Sequence, residues 1–93
     1  NAESRAIMGT SMGGLAATYF LFSRPDVFGM AGVQSPAFYI KPQIYTLCSN
    51  PADPKLKISM TAGLINDTSP DSRKMKDILA ANTCIYFYKE VNE

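Results

Sequence analysis

Residues 5–15 read Arg5-Ala6-Ile7-Met8-Gly9-Thr10-Ser11-Met12-Gly13-Gly14-Leu15, and this stretch decides the fold. A short apolar run leads into a glycine-rich turn, and apolar residues spaced by one, three and four follow the turn. Such spacing is typical of a helix. The stretch therefore predicts a strand over Arg5–Met8, a tight turn at Ser11, and a helix over Gly13–Ser23 that Arg24-Pro25 ends.

The rest of the chain continues to alternate strand patterns with helix patterns. Strands and helices that alternate at this spacing predict a parallel sheet with right-handed crossovers, here about four strands in one α/β domain. The Asn82 side chain suits a helix end because Asn tolerates the left-handed conformation. The predicted elements are a strand over Val27–Gln34, a helical turn near Gln43–Cys48 within the loop Ala37–Pro54, a strand over Lys57–Ala62, a helix capped by Ser69 and running to about Ala81, and a strand over Cys84–Val91 with one face wetter than the other.

The turn at Ser11 has the pattern Gly-x-Ser-x-Gly between a strand and a helix. Glycines two residues on either side of a serine let strand and helix approach closely, so that the serine is held strained and exposed at the end of the strand. A serine hydroxyl needs such exposure, a base and oxyanion donors to act as a nucleophile. The pattern makes Ser11 the candidate nucleophile and the Met12 backbone N–H the candidate oxyanion donor. The alternative is a structural turn with an incidental serine.

The acid of a serine nucleophile's triad is expected in a loop after a later strand, because ligands bind beyond the carboxyl ends of parallel strands. Asp67 follows the predicted strand Lys57–Ala62 and is the preferred candidate. Asp71 is the nearest competitor but fits the first turn of a helix, and Asp53 precedes the strand, at its wrong end. An Asx-type turn before a helix is the alternative explanation of Asp67.

The chain contains no histidine. Ser11 and Asp67 form no competent triad without a base between them, because the acid's role is to orient and stabilise an imidazolium. Either the base lies on sequence outside these 93 residues or the protein is inactive. Chain order favours the first option, since the histidine comes last in this arrangement of residues.

Composition excludes several other functions. Nine Lys and Arg balance eight Asp and Glu, and the basic run Arg73-Lys74-Met75-Lys76 is typical of a solvated helix face, so we expect no nucleic-acid partner. No apolar run approaches the roughly 20 residues of a membrane span. The two cysteines, Cys48 and Cys84, lack the spacing of a metal knuckle or a redox pair, and we expect neither metal nor cofactor. Residues 1–5 do not form a signal peptide, which leaves the compartment open, the bacterial periplasm and secretion included.

The chain resembles the putative-esterase branch of the α/β-hydrolases, which includes enterochelin (siderophore), feruloyl and acetyl xylan esterases and the esterase D group. The Ser-Met-Gly-Gly core at Ser11 followed by Pro-x-x-Phe-Gly at Pro25 is specific to this branch. The resemblance implies that residues 1–93 are the carboxyl-terminal part of a single, incomplete esterase domain. It also implies Ser11 as nucleophile, Met12 as oxyanion amide and Asp67 as acid. The base would follow the last strand in a Gly-His segment, and a second oxyanion donor would come from an early loop; both would lie outside this chain.

The function that we expect is ester hydrolysis through an acyl-enzyme, on feruloyl or acetyl polysaccharide esters or on siderophore-type esters. The partners would be such an ester and the remainder of the same polypeptide. A non-catalytic binding domain and an acyltransferase that uses the same serine are the alternatives. The aromatic residues in Gln34-Ser35-Pro36-Ala37-Phe38-Tyr39 follow a strand end near Ser11, so Ser35, Phe38 and Tyr39 are weak candidates for substrate contacts, with core packing as the simpler explanation.

Overall fold

The computed structural model describes residues 4–63 and 69–91. Four parallel strands form one sheet in the order β1-β2-β3-β4, as the sequence predicts. Three α-helices and one 3₁₀ turn connect the strands. In chain order the elements are β1 Ala6–Thr10, α1 Met12–Ser23, β2 Met30–Gln34, the 3₁₀ turn Phe38–Ile40, α2 Gln43–Ser49, β3 Lys57–Gly63, α3 Ser69–Ala80 and β4 Ile85–Val91.

All three helices lie on one face of the sheet. A strand order that steps in one direction, joined by right-handed crossovers, brings every crossover to the same side. Helix α1 packs on β1 and β2, α3 packs on β3 and β4, and α2 lies against both helices. Side chains of alternate strand residues fill the space between sheet and helices, and the largest of those that are fully buried are Leu21, Phe38, Ile58, Met60, Met75 and Leu79.

The opposite face of the sheet is bare within the described part of the chain. Met8, Gly32, Ser59 and Phe87 lie side by side across the four strands on this face. Met8 is 81% exposed and Phe87 is 67% exposed. Parallel sheets are normally covered on both faces, so an apolar row of this kind is unusual. Strand β4 has one more exposed face, as predicted. That face carries Ile85 and Phe87, while Tyr86 and Tyr88 on the other face pack against the core.

Two elements, β2 and α3, begin at residues that differ from the prediction. Strand β2 begins at Met30 because Val27 and Phe28 donate to the carbonyl of Arg24 in a turn. Ser69 is the first helical residue of α3 and not its cap.

Asn82 lies just after the end of α3, as predicted, but it does not have the left-handed conformation that the prediction gave it. Among the described non-glycine residues only Ser11 and Ser35 have positive φ, so Asn82 is not left-handed. Its side-chain amide instead donates to the carbonyls of Cys48 and Asn50, both at 2.7 Å, and accepts from the N–H of Ala52 at 3.0 Å. The residue thereby fastens the α3–β4 connection to the end of α2.

Candidate functional site

Ser11 lies between the carboxyl end of β1 and the first residue of α1. Its backbone has φ 57° and ψ −117°, a sparsely populated conformation for a residue with a side chain. Strain of this kind costs about 1–3 kcal/mol and persists only where the surroundings impose it. The side chain is exposed, and its hydroxyl makes no capping hydrogen bond to the described residues of α1. The hydroxyl is therefore free to meet a ligand at the end of the strand.

The glycines around Ser11 differ in what they permit. A Cβ at Gly9 would lie 2.0 Å from the carbonyl oxygen of Gly13, so strand and helix could not approach as they do. A Cβ at Gly14 would lie 3.0 Å from the Cβ of Pro36. A Cβ at Gly13 would meet nothing within 4 Å. The prediction that the flanking glycines permit a close approach thus holds for Gly9, while the second close approach requires Gly14 and not Gly13.

Backbone hydrogen bonds hold Ser11 from both sides. Its carbonyl accepts from the N–H groups of Gly14 at 3.0 Å and Leu15 at 3.2 Å, which close the first helical turn. The N–H groups of the first two helical residues, Met12 and Gly13, have no acceptor within a helix and carry its positive dipole end. These two N–H groups follow Ser11 directly in the chain, at the start of α1.

The candidate acids have distinct positions. Asp67 lies outside the described residues, in the segment between Gly63 and Ser69. Gly63 closes β3 at the carboxyl edge of the sheet, the same edge as Ser11, because the strands are parallel. Asp71 lies in the first turn of α3, and one carboxylate oxygen is 3.4 Å from the Tyr45 hydroxyl. Asp53 precedes β3 at the opposite edge and accepts from the N–H of Lys55.

The three weak substrate-contact candidates are separated by burial. Phe38 is fully buried in the core, edge to face with Tyr45, so it packs as a core residue and does not line a site. Tyr39 is 60% exposed. Ser35 is half-buried, has φ 43°, and donates its N–H to the carbonyl of Thr61 at 2.7 Å. Of the three, Ser35 and Tyr39 are the ones that solvent reaches.

The sequence predicts that the turn after β2 lies near Ser11, but it did not reveal the backbone hydrogen bonds between the two. The N–H of Ser11 donates to the carbonyl of Gln34 at 3.0 Å, and the N–H of Ala37 donates to the carbonyl of Ser11 at 3.0 Å. Both partners are more than 20 residues from Ser11 in the sequence. The only local signal was the second glycine, Gly14, which is dispensable to the Gly-x-Ser-x-Gly pattern but leaves room for Pro36.

The two cysteines lie in the core and not at the site. Cys48 is fully buried, and this burial, with Cys84 nearby as a smaller cause, raises the pKa of its thiol to about 12. Burial also raises the pKa of the Cys84 thiol. A thiol is a nucleophile only as the thiolate, so these groups are inert at neutral pH.

Neither a metal-binding cluster nor a membrane-spanning helix occurs in the parts of the chain that the structure describes. No three His, Cys, Asp or Glu residues among 4–63 and 69–91 come together as metal ligands would. None of the described helices has the length and apolar character to cross a bilayer.

Comparison with known proteins identifies relatives of this fold and sequence. The sequence model of the family described as Putative esterase matches residues 1–82. The enterobactin esterase of Shigella flexneri, solved in the presence of enterobactin, superposes with a TM-score of 0.77 at 22% identity over 99% of this chain and 26% of its own. The ferric enterobactin esterase of Salmonella typhimurium superposes with a TM-score of 0.70 at 25% identity, over 97% of this chain and 25% of its own.

The chain thus spans about a quarter of the length of these solved enzymes. No relative was found among curated protein sequences. The likeness in structure shows that the four parallel strands and their helices have the fold of part of an esterase. Because the family model covers residues 1–82 of 93, the chain belongs to the Putative esterase family.

Proposed function

We propose that this chain is the carboxyl-terminal part of a longer esterase domain that hydrolyses carboxylic esters through a serine acyl-enzyme. The observation that carries the proposal is the strained, exposed Ser11 at the junction of β1 and the start of α1. Membership of an esterase family supports the reaction class. The length of the solved relatives supports a domain longer than these 93 residues.

In the proposed mechanism the Ser11 hydroxyl attacks the ester carbonyl while a histidine from outside this chain takes its proton. The Met12 N–H stabilises the oxyanion of the tetrahedral intermediate, and Asp67 orients the histidine. Collapse of the intermediate expels the alcohol, which takes the proton from the imidazolium and leaves an ester on Ser11. Water then attacks that ester with the same histidine as base, and the carboxylic acid leaves as Ser11 regains its proton.

The substrates proposed are feruloyl or acetyl esters of polysaccharides, or siderophore-type esters. The solved relatives are enterobactin esterases, and one was crystallised with 2,3-dihydroxy-N-benzoyl-glycine. The exposed ring of Tyr39, in the 3₁₀ turn after the strand next to Ser11, would suit an aromatic acyl group.

An active-site phosphonate tests the proposal directly. The full esterase polypeptide that contains these residues is expected to label on Ser11, and Ser11→Ala is expected to lose labelling and ester turnover together. Ser59→Ala is the matched control, because Ser59 is exposed on the bare face of the sheet. A folded wild-type protein that takes no label on Ser11 would overturn the proposal. Turnover by Ser11→Ala at the wild-type rate would do the same.

The absence of histidine from these 93 residues supports one alternative, a hydrolase fold that binds ligands without catalysis. The two candidates differ in the coding sequence downstream of Glu93, where the esterase requires a histidine. For the same reason we expect the 93-residue chain alone to show no ester turnover. Measurable hydrolysis by the purified chain would contradict the role given to the missing base.

A further inference from the structure

The strained backbone of Ser11 is held by partners of two kinds. The bonds from Gly14 and Leu15 to its carbonyl belong to the start of α1 and would form at any helix of this geometry. The bonds to Gln34 and from Ala37 come instead from the turn after β2, which we define as the Gln34–Ala37 turn. Among the described residues, these two backbone bonds hold Ser11 to β2 and to the turn that follows it.

The Gln34–Ala37 turn is itself immobilised on the third strand. The N–H of Ser35 donates to the carbonyl of Thr61 at 2.7 Å, which extends the β2–β3 ladder past the end of β2. Ser35 has φ 43°, so the turn holds a second residue in a conformation that favours glycine. Pro36, fully buried, fixes the backbone between Ser35 and Ala37. Strain at both Ser11 and Ser35 implies that the two turns impose each other's conformation.

Pro36 is also the direct contact between this turn and α1. A Cβ added to Gly14 would lie 3.0 Å from the Pro36 Cβ and 3.1 Å from the Pro36 Cα. These distances are shorter than ordinary van der Waals contacts, so the turn and the start of α1 leave no room for an added methyl group. A change on either side of the contact must displace the other.

We propose, on the basis of the function proposed above, that the Gln34–Ala37 turn is a positioning element for the Ser11 nucleophile, with Pro36 as its positioning residue. The turn does not touch the reacting atoms. It sets where the Ser11 hydroxyl stands relative to β2 and β3, and β3 leads into the segment that contains the candidate acid. Displacements of a fraction of an ångström at a nucleophile lower reaction rates steeply.

Gly14→Ala tests this positioning, measured in the full esterase polypeptide as the phosphonate labelling rate of Ser11 per folded molecule. Alanine has a higher helix propensity than glycine, so slower labelling of Gly14→Ala could not be explained by a weakened α1. We expect labelling of Gly14→Ala to fall about tenfold with little change in phosphonate affinity, because its Cβ displaces the Gln34–Ala37 turn. Gly32→Ala, on the same strand β2 but with its Cβ against the flexible Met8 side chain, is the control and should label at the wild-type rate.

Two Pro36 backgrounds separate the proposed contact from a general effect of the substitution. In a Pro36→Gly background, which lacks the Cβ that is struck, adding Gly14→Ala should slow labelling little beyond Pro36→Gly alone. In a Pro36→Ala background, which keeps that Cβ, Gly14→Ala should still slow labelling about tenfold. Equal slowing by Gly14→Ala in the two backgrounds, or wild-type labelling by Gly14→Ala itself, would overturn the proposal.

A second variant and a second readout keep the test decisive. If Gly14→Ala does not fold, Pro36→Gly alone should loosen the turn, slow labelling several-fold and speed amide exchange across residues 33–40. Wild-type labelling and exchange in Pro36→Gly would contradict the role of the turn. If the wild-type protein itself takes no label, the proposed function fails. The positioning role is then tested by the amide hydrogen exchange rates of Ser11 and Ala37. These rates should be higher in Gly14→Ala than in the wild type, and unchanged rates would contradict the role.

Discussion

Ser11 and Gly9 illustrate how much one residue can control in this molecule. The turn that exposes Ser11 requires the backbones of β1 and α1 to meet at a distance that no side chain at position 9 would allow. Ser11 then adopts a conformation that its own side chain disfavours. The two residues therefore contribute in opposite ways, since Gly9 permits the approach and Ser11 bears its strain.

Gly9→Ala should destabilise the protein by at least about 3 kcal/mol, because its Cβ would lie 2.0 Å from the Gly13 carbonyl oxygen and the backbone would have to move. Gly13→Ala is the matched substitution on the other side of Ser11. Its Cβ meets nothing within 4 Å, and helix propensity should leave stability unchanged or raise it by up to about 1 kcal/mol. Urea unfolding of both variants measures the contrast, and similar losses in the two would contradict it.

At the scale of the elements, polar side chains join helix α3 to the sheet and to α2. Arg73 of α3 binds Glu90 of β4 through two hydrogen bonds, and the Tyr88 hydroxyl donates to the same carboxylate at 2.7 Å. Asn82 bridges the α3–β4 connection to α2. The Arg73–Glu90 pair joins α3 to the strand that follows it, and the Asn82 bridge joins segments 32 and 34 residues apart in sequence.

The pair Arg73–Glu90 should make stability depend on pH. The bonds from Arg73 and Tyr88 lower the pKa of Glu90 to about 2, below its value of about 4.3 in an unfolded chain. A carboxylate with a lowered pKa stabilises the folded state above the unfolded pKa, and this contribution is lost as the pH falls toward about 2. Glu90→Gln should therefore be less stable than wild type at pH 6, with a difference that shrinks between pH 4.3 and about 2. A difference in unfolding free energy that stays constant over this range would contradict the assignment.

Asn82→Ala should cost about 2–3 kcal/mol, because it removes the bonds donated to the carbonyls of Cys48 and Asn50 and those accepted from the N–H groups of Ala52 and Thr83. Asn82→Asp should also destabilise, since a carboxylate would face the carbonyls of Cys48 and Asn50. Asn50→Ala is the control, because Asn50 contributes only its backbone carbonyl to this junction. Thermal unfolding compares the three, and an Asn82→Ala protein as stable as Asn50→Ala would show that the bridge is dispensable.

At the scale of the whole molecule, the arrangement of the crossovers decides which surfaces are covered. Consecutive strands joined in one direction leave the face with Met8 and Phe87 uncovered within the described residues. Helix α1 has no charged residue over its 12 positions, yet Met12, Tyr19 and Phe20 on it are exposed. Exposed apolar surface on either side of the molecule favours association.

The 93-residue chain by itself should therefore self-associate in solution. Phe87→Lys, which places a charge on the bare face, should lower the average mass measured by sedimentation. Thr46→Lys is the matched control, because it adds the same charge on the exposed side of α2. Equal effects of the two substitutions would show that net charge, and not the bare face, governs association.

The sequence by itself determined the strand, turn and helix around Ser11, the order of the later elements and the parallel sheet. These features depend on apolar periodicity and on glycine and proline chemistry within a few residues. Only the tertiary structure decided that Phe38 belongs to the core while Tyr39 is exposed, and that Asn82 bonds to α2 instead of turning left-handed. It also decided that Gln34 and Ala37 hold Ser11 and that one face of the sheet stays bare. Each of these depends on which distant segments the crossovers bring together, and no local pattern encodes that meeting.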